Sequence, residues 1–318
     1  LDSRGFRKII LIALEEMSEN IQDYFSSNFR KKDGLYILQK ALEQIHKPEN
    51  EKSLNTAIYR LKYDEHFFLQ LLMALKKQAH ENNTGRVFLE RGKYEKDIFN
   101  SLDFTLTNAQ INVLREIRAD LASTKPMNRL IQGDVGSGKT IVAVLAAAIV
   151  ISHGSQAAIM APTELLAEQH YHSFNKFFKP AGISIELLTG SLTRGVRNKI
   201  NEKLESGEIQ LIVGTHTLIQ DEINFKDLGI IIIDEQHRFG VEQRKILIEK
   251  GNTPEILALT ATPIPRTLAF TIHGDMEISI IDELPKNRVP IITKVVKPEK
   301  IDNVYDFMKK EMDAKRQC

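Results

Sequence analysis

The stretch Gly133-Asp134-Val135-Gly136-Ser137-Gly138-Lys139-Thr140 decides the fold of this chain. It follows a short apolar run at residues 129–132 and opens a helix-forming segment at residues 141–150. Glycines between a strand and a helix let successive backbone N–H groups face a phosphate, and the helix N-terminus adds partial positive charge. The pattern G-x-x-x-x-G-K-S/T in this context predicts a phosphate-binding P-loop, with all eight residues binding a nucleotide.

Two P-loop side chains have predicted roles of their own. We expect Lys139 to hold the β- and γ-phosphates and Thr140 to ligate Mg²⁺, so that ATP and Mg²⁺ are the expected cofactors. The alternative is a glycine-rich turn that matches by chance, which average residue frequencies allow in roughly one per cent of chains of this length. The strand before the motif and the helix after it favour the nucleotide site.

Short, almost continuously apolar runs alternate with helical stretches from Phe104 onward, which is typical of parallel strands buried on both faces. The fold class is therefore predicted as α/β, a P-loop NTPase with a doubly wound, mainly parallel sheet preceded by a helical region. Ligands of such sheets collect at the carboxyl ends of the strands. The predicted strands are residues 129–132, 156–161, 183–188, 210–213, 229–233, 256–259 and 278–281.

The domain organisation follows from the same patterns. We predict a helical region over residues 1–82, a linker over 83–103 that contains Gly85 and Gly92, and a nucleotide-binding domain over 104–290. Residues 291–318 are predicted to begin a further lobe. The chain starts at Leu1 without methionine and ends at Cys318 straight after a helix-like stretch, so it is expected to be an excised fragment.

A second motif, the acidic pair Asp234-Glu235, follows the strand-like run Ile230-Ile231-Ile232-Ile233. Here Asp234 would hold the metal, and Glu235 would orient and deprotonate a water for in-line attack on the γ-phosphate. Taken alone, an acidic pair after a strand is more often a solvated turn. The P-loop about a hundred residues earlier in the same sheet favours the catalytic interpretation.

Composition leaves the partner open. A net charge of +1 gives no global attraction to polyanions, so any nucleic-acid contact must come from local groups. The single cysteine cannot form an internal disulfide, which fits a reducing compartment, and no signal or membrane anchor is visible.

His170 and His172 lack further metal ligands at suitable spacing and are predicted to be helix-surface histidines.

Three stretches together resemble the motifs of superfamily II helicases, and most closely those of the bacterial RecG family: APTELLAEQH at 161–170, DEQHRFG at 234–240 and LTATPIPRTL at 259–268. The resemblance runs from about residue 104 to 290. It implies an ATP hydrolase that translocates on duplex DNA and remodels branched DNA, in fork reversal and Holliday-junction branch migration during recombination and repair.

The resemblance also implies roles for single residues. Gln110 resembles the upstream glutamine that reads adenine, and His237 joins Lys139, Asp234 and Glu235 in the catalytic set. Thr260 and Thr262 match the motif that couples hydrolysis to movement, with hydroxyls able to bond both carboxylates. Positions that resemble DNA-contact motifs are Pro162, Thr163, Thr189, Gly190, Thr215 and Thr217.

Expected partners are forks and Holliday junctions, and single-strand-binding protein, with no membrane. The protein is expected to be a monomer in the bacterial cytoplasm, associated with the nucleoid. Two departures limit the likeness: the second motor lobe with its arginine finger and the N-terminal wedge domain are expected to be missing, so the chain alone should be weakly active.

Other classes remain open. A transcription-repair coupling translocase shares the stretch TATPIPR, although the tetrad at 234–237 favours RecG. A small-molecule kinase would need an acceptor pocket and an arginine-rich lid. A nucleotide-binding module without hydrolysis would have no use for Glu235.

Overall fold

The computed structural model describes residues 3–17, 21–81, 84–89, 92–262, 276–285 and 293–318. Its centre is a seven-stranded, wholly parallel sheet with the order β3-β4-β2-β5-β6-β1-β7. Every predicted run forms one strand, so the predicted fold class is confirmed. The strands are β1 (Asn128–Gly133), β2 (Gln156–Met160), β3 (Ile185–Leu188), β4 (Leu211–Gly214), β5 (Leu228–Asp234), β6 (Glu255–Thr260) and β7 (Glu277–Ile281).

Helices cover the sheet and precede it. In chain order they are α1 (Ser3–Met17), α2 (Ser27–Asp33), α3 (Leu38–His46), α4 (Glu51–Glu81), α5 (Lys93–Asn100), α6 (Asn108–Leu121), α7 (Lys139–Ser152), α8 (Glu164–Phe178), α9 (Arg194–Ser206), α10 (Val241–Glu249) and α11 (Ile301–Asp313). Short 3₁₀ turns lie at His216–Ile219, Gln236–Arg238 and Pro298–Lys300. None of the described helices combines the length and the apolar run needed to span a bilayer.

Helix α7 is the centre of the core. Its residues 141–151 are all buried, so it is apolar around its whole circumference. A helix of this kind must be enclosed on every side. It belongs to the large apolar cluster formed with inward-facing residues of β1, β2, β4, β5 and β6, and with residues of α5, α6 and α8. The P-loop therefore leads into the most buried helix of the described chain, which fixes its position.

The helices that precede the sheet are organised around a buried arginine. Arg60 on α4 is fully buried, and its guanidinium donates to the Asp23 and Asp64 carboxylates, at 2.9 Å and 2.7 Å. The same group lies over the rings of Tyr24 and Phe25. A buried charge needs such partners because desolvation without them is very costly. Arg60 thus ties the segment before α2 to the long helix α4.

Residues 93–100 of the predicted linker form the helix α5. Ile98 is 1% exposed in the core cluster, and the Tyr94 N–H donates to Ser152 Oγ of α7 at 3.1 Å. Before this helix, the Phe88 N–H donates to the Leu121 carbonyl at 2.7 Å. The stretch therefore packs against α6 and α7. The domain boundaries themselves stay a prediction, and residues 82–83, 90–91 and 286–292 lie outside the described part.

A buried carboxyl marks the sheet edge opposite the P-loop. Glu255 begins β6, is 1% exposed, and accepts a hydrogen bond from the Met127 N–H. Burial raises its pKa to about 8, because the charged form would lose its hydration. The side chain is therefore protonated at neutral pH in the folded protein.

This pKa gives the stability of the fold a definite pH dependence. The folded pKa lies above the ordinary value of 4.5, so between these pH values the unfolded state loses the proton first. The contribution of Glu255 to the free energy of unfolding should then fall as pH rises, by up to about 1.4 kcal/mol per pH unit. Glu255→Gln keeps an oxygen acceptor for Met127 and should remove this slope.

Urea unfolding at pH 5, 6, 7 and 8 measures the effect. The variant should gain stability relative to the wild type as pH rises, while Glu202→Gln, at an exposed position on α9, should track the wild type. A difference between Glu255→Gln and wild type that stays constant with pH would contradict the assignment.

Candidate nucleotide-binding site

Three neighbouring strands bring the predicted catalytic segments together. The order β5-β6-β1 places the ends of these strands side by side at one edge of the sheet. The P-loop begins at the last residue of β1, Thr260 ends the middle strand β6 with Thr262 two residues further on, and Asp234 ends β5. Segments more than a hundred residues apart in sequence are therefore brought to neighbouring strand ends.

The P-loop backbone requires glycine at its last turn. Gly138 has φ +85°, in the left-handed region that side chains disfavour, and it caps the N-terminus of α7. A Cβ atom added there would lie 2.2 Å from the Gln110 amide nitrogen. The Ser137 hydroxyl is buried without a hydrogen-bond partner among the described residues. The loop therefore offers an unsatisfied polar group inside a tight backbone turn.

Lys139 is folded onto its own loop. Its ammonium donates to the carbonyls of Gly133 at 2.7 Å and of Asp134 at 3.0 Å. Burial lowers the pKa of Lys139, while the negative charges of Asp234 and Glu235 act in the opposite direction. Both carboxylates of the second motif are thus close enough to act on the lysine.

Glu235 is held by the end of β6, the strand that lies between β5 and β1 in the sheet. Its backbone is left-handed, with φ +49°, and its N–H donates to the Leu259 carbonyl at 2.9 Å. The carboxylate accepts from the Ala261 N–H at 3.1 Å and from the Thr260 hydroxyl at 3.3 Å. The left-handed turn after β5 aims this side chain across the end of β6.

His237 and Thr260 adjoin the Glu235 carboxylate. His237 Nδ1 lies 3.4 Å from one of its oxygens. The Thr260 hydroxyl lies 2.9 Å from the Thr262 hydroxyl. Both threonines were expected to bond to both carboxylates. The described contacts instead link Thr260 to Glu235, and Thr262 to Thr260. Residues 263–268 of the same motif lie outside the described part.

Asp234 has a partner that the sequence did not reveal. His170 Nε2 on α8 lies 2.7 Å from Asp234 Oδ2, and the two side chains are only 12% and 13% exposed. The prediction of a helix-surface histidine is therefore wrong for His170, although His172 is exposed. The partners are 64 residues apart, so no local spacing signals the contact.

Gln110 is also bound internally. Its amide nitrogen donates to the Ser137 carbonyl of the P-loop at 2.8 Å, and its amide oxygen accepts from the Thr107 N–H at 2.9 Å. The side chain is 2% exposed and completes a capping box at the start of α6. In this conformation Gln110 stabilises the P-loop through its bond to Ser137. Recognition of adenine by Gln110 stays a prediction.

The predicted DNA-contact residues follow β2, β3 and β4, at the other half of the same sheet edge. Thr163 is exposed and caps α8 by accepting from the Leu166 N–H at 3.3 Å. The side chains of Thr189, Thr215 and Thr217 are buried. Any phosphate contact at these three positions would therefore come from the backbone in this conformation.

The residues present fit a magnesium nucleotide. Mg²⁺ prefers oxygen ligands and is commonly held by one or two protein groups together with substrate phosphates. Thr140 and Asp234 would supply such oxygens, and the unpaired Ser137 hydroxyl offers a further group for a phosphate or water. Within the described residues, no three His, Cys, Asp or Glu side chains form a cluster for a metal.

Comparison with known proteins defines the class. The family model described as DEAD/DEAH box helicase matches residues 107–270, which include the P-loop, Asp234 and Glu235. The chain belongs to this helicase family.

Within the family, the chain is similar to RecG over nearly its whole length. It is 45% identical to the ATP-dependent DNA helicase RecG of Synechocystis sp. and 46% identical to that of Bacillus subtilis, over 98% of this chain in both cases. A solved structure of RecG bound to a three-way DNA junction superposes with a TM-score of 0.82, at 37% identity over 99% of this chain. The predicted resemblance to RecG is confirmed.

The match covers only part of those proteins. The chain spans 38% and 46% of the two relatives, and 42% of the chain in the solved structure. The similarity therefore concerns the RecA-like lobe and the helices before it.

Glycine substitutions test the P-loop geometry. Gly138→Ala should cost about 1–2 kcal/mol of stability through its left-handed backbone and, by displacing Gln110, should weaken binding of a fluorescent ATP analogue. Gly154→Ala is the matched control, because Gly154 has φ +87° with nothing within 4 Å of the added Cβ. It should lose similar stability and keep nucleotide binding. Equal nucleotide affinity in both variants would contradict the geometry.

Proposed function

We propose that this chain is the ATP-binding lobe of a DNA motor that acts on branched DNA. The observation that carries the proposal is the meeting of Lys139, Glu235 and Thr260 at the ends of three adjacent parallel strands. The similarity to RecG over 98% of the chain supports DNA as the polymer along which the motor moves. The RecG structure with a three-way junction supports branched DNA as the substrate class.

ATP binding would exchange internal contacts for phosphate contacts. The ammonium of Lys139 would leave the carbonyls of Gly133 and Asp134 for the β- and γ-phosphates. The N–H groups of residues 136–140 and the N-terminus of α7 would face the same oxygens. Thr140 and Asp234 would hold Mg²⁺, which would neutralise charge that develops on the transferred group.

Hydrolysis would then depend on Glu235. Its carboxylate would accept a proton from a water whose oxygen attacks the γ-phosphorus, while the bond to the β,γ-bridging oxygen breaks. The bonds from Ala261 and Thr260 hold this carboxylate at the strand end. His237 lies beside it and belongs to the same proposed catalytic set.

Thr260, which ends β6, and Thr262, two residues further on, would carry the coupling. A change in the hydrogen bonding of Glu235 during hydrolysis reaches Thr260 directly, and Thr262 through the 2.9 Å contact between their hydroxyls. Thr262 leads into the next segment of the chain. This continuous set of hydrogen bonds supports Thr260 and Thr262 as the connection between turnover and movement.

DNA would lie across the other half of the sheet edge. Pro162, Thr163 and Gly190 are the proposed contacts, with backbone groups of Thr189, Thr215 and Thr217. The N-terminus of α8, capped by Thr163, suits a phosphate because its first N–H groups lack partners within the helix. Contacts of this kind grip the backbone without reading bases.

The remaining parts of the proposal concern the wider protein. We propose that residues 104–290 form the nucleotide-binding lobe, that 1–82 form a helical region before it, and that 291–318 begin a further lobe. We also propose that the protein is a monomer, that it acts in recombination and repair at the bacterial nucleoid, and that it contacts single-strand-binding protein. They rest on the similarity to bacterial RecG proteins.

Two substitutions separate binding from hydrolysis. Lys139→Ala should abolish binding of an ATP analogue, whereas Glu235→Gln should keep binding and lower ATP turnover by roughly 100-fold or more. Turnover of the whole motor protein that contains this lobe should be measured with and without a three-way DNA junction, alongside Lys245→Ala, an exposed α10 position, as the control. DNA-stimulated turnover that survives both changes would defeat the proposed function.

A further inference from the structure

The contact between His170 and Asp234 joins the proposed nucleotide half of the sheet edge to the proposed DNA half. Asp234 ends β5 in the nucleotide half of the sheet edge, and His170 lies on α8, which follows β2. An ionised carboxylate can only accept hydrogen bonds, so the Nε2–H of His170 must donate to Asp234 Oδ2. This bond fixes one carboxylate oxygen and orients the other.

Packing of α8 does not explain why a histidine occupies this position. Ala167, Phe174 and Phe178 are buried on the inward face of the helix and already anchor it to the core. An apolar residue at position 170 would extend this face. The structure has instead a polar ring, largely removed from water, whose bond is made to the proposed metal ligand. A bond of this kind is typical of side chains that orient a metal-binding carboxylate.

The N-terminal end of α8 adjoins the proposed DNA contacts. Thr163 caps the helix, and the Glu164 carboxylate accepts from the Ser191 N–H at 3.2 Å, in the loop that holds Thr189 and Gly190. His170 follows Thr163 by seven residues, or two helical turns, which is about 10 Å along the axis on the same side. A rigid helix therefore connects the proposed DNA grip with the Asp234 carboxylate.

We propose that His170 is a positioning residue that holds Asp234 in its metal-binding orientation and makes that orientation respond to DNA through α8. The proposal rests on the proposed function, because it assigns Asp234 to Mg²⁺ and the start of α8 to DNA. It extends that function by identifying how an occupied DNA site would reach the nucleotide site within one lobe.

The positioning role is tested by magnesium-dependent nucleotide binding, without any turnover. The affinity of the purified protein for a fluorescent non-hydrolysable ATP analogue is measured in Mg²⁺ and in EDTA. His170→Ala should weaken binding in Mg²⁺ by roughly 10-fold to 100-fold and leave binding in EDTA unchanged. His170→Gln or His170→Asn, which keep an N–H donor, should restore at least part of the loss.

Controls separate this role from general damage to the helix. His172→Ala removes the exposed histidine two residues away and should behave as wild type, and thermal melts should confirm that all variants fold. The positioning role is overturned if His170→Ala binds as wild type in Mg²⁺, if it loses as much in EDTA, or if neither amide variant restores binding while both fold.

The coupling is tested by repeating the titration with a three-way DNA junction. In the wild type the junction should change the affinity for the analogue, and in His170→Ala this change should be lost. A change of the same size in both proteins overturns the coupling. If the wild type binds no nucleotide, or shows no effect of DNA, the proposed function itself fails, which distinguishes that outcome from a failure confined to His170.

Discussion

The structure depends on one constraint, the parallel pairing of seven strands in a single sheet. Because all the strands run in the same direction, all their carboxyl ends lie along one edge. The order β5-β6-β1 then brings the P-loop, the acidic pair, Thr260 and Thr262 to neighbouring strand ends.

The same edge holds its functional groups in internal hydrogen bonds. Lys139 bonds to loop carbonyls, Gln110 to the Ser137 carbonyl, and Glu235 to Thr260 and Ala261. Each of these partners competes with a nucleotide or with water for the same side chain. Ligand binding as proposed at this site would therefore exchange these internal hydrogen bonds for bonds to the ligand.

Much of this could be predicted from the sequence because the signals are local. The seven apolar runs predicted every strand, and the P-loop spacing predicted the turn that Gly138 makes. Helix α5 was missed because its eight residues follow directly after Gly92, within a stretch that reads as irregular. The contact of His170 with Asp234 could not be predicted for another reason: the two residues become neighbours only when β2 and β5 pair.

Hydrogen–deuterium exchange with a magnesium-bound ATP analogue tests whether the nucleotide occupies the ends of β1, β5 and β6. We expect slower exchange at residues 133–140, 234–237 and 260–262, with no change at the opposite ends of these strands. The alternative location is the cavity of about 1010 Å³ between α9 and the turn His216–Ile219. Protection there, with exchange unchanged in the P-loop, would contradict nucleotide binding at the ends of these three strands.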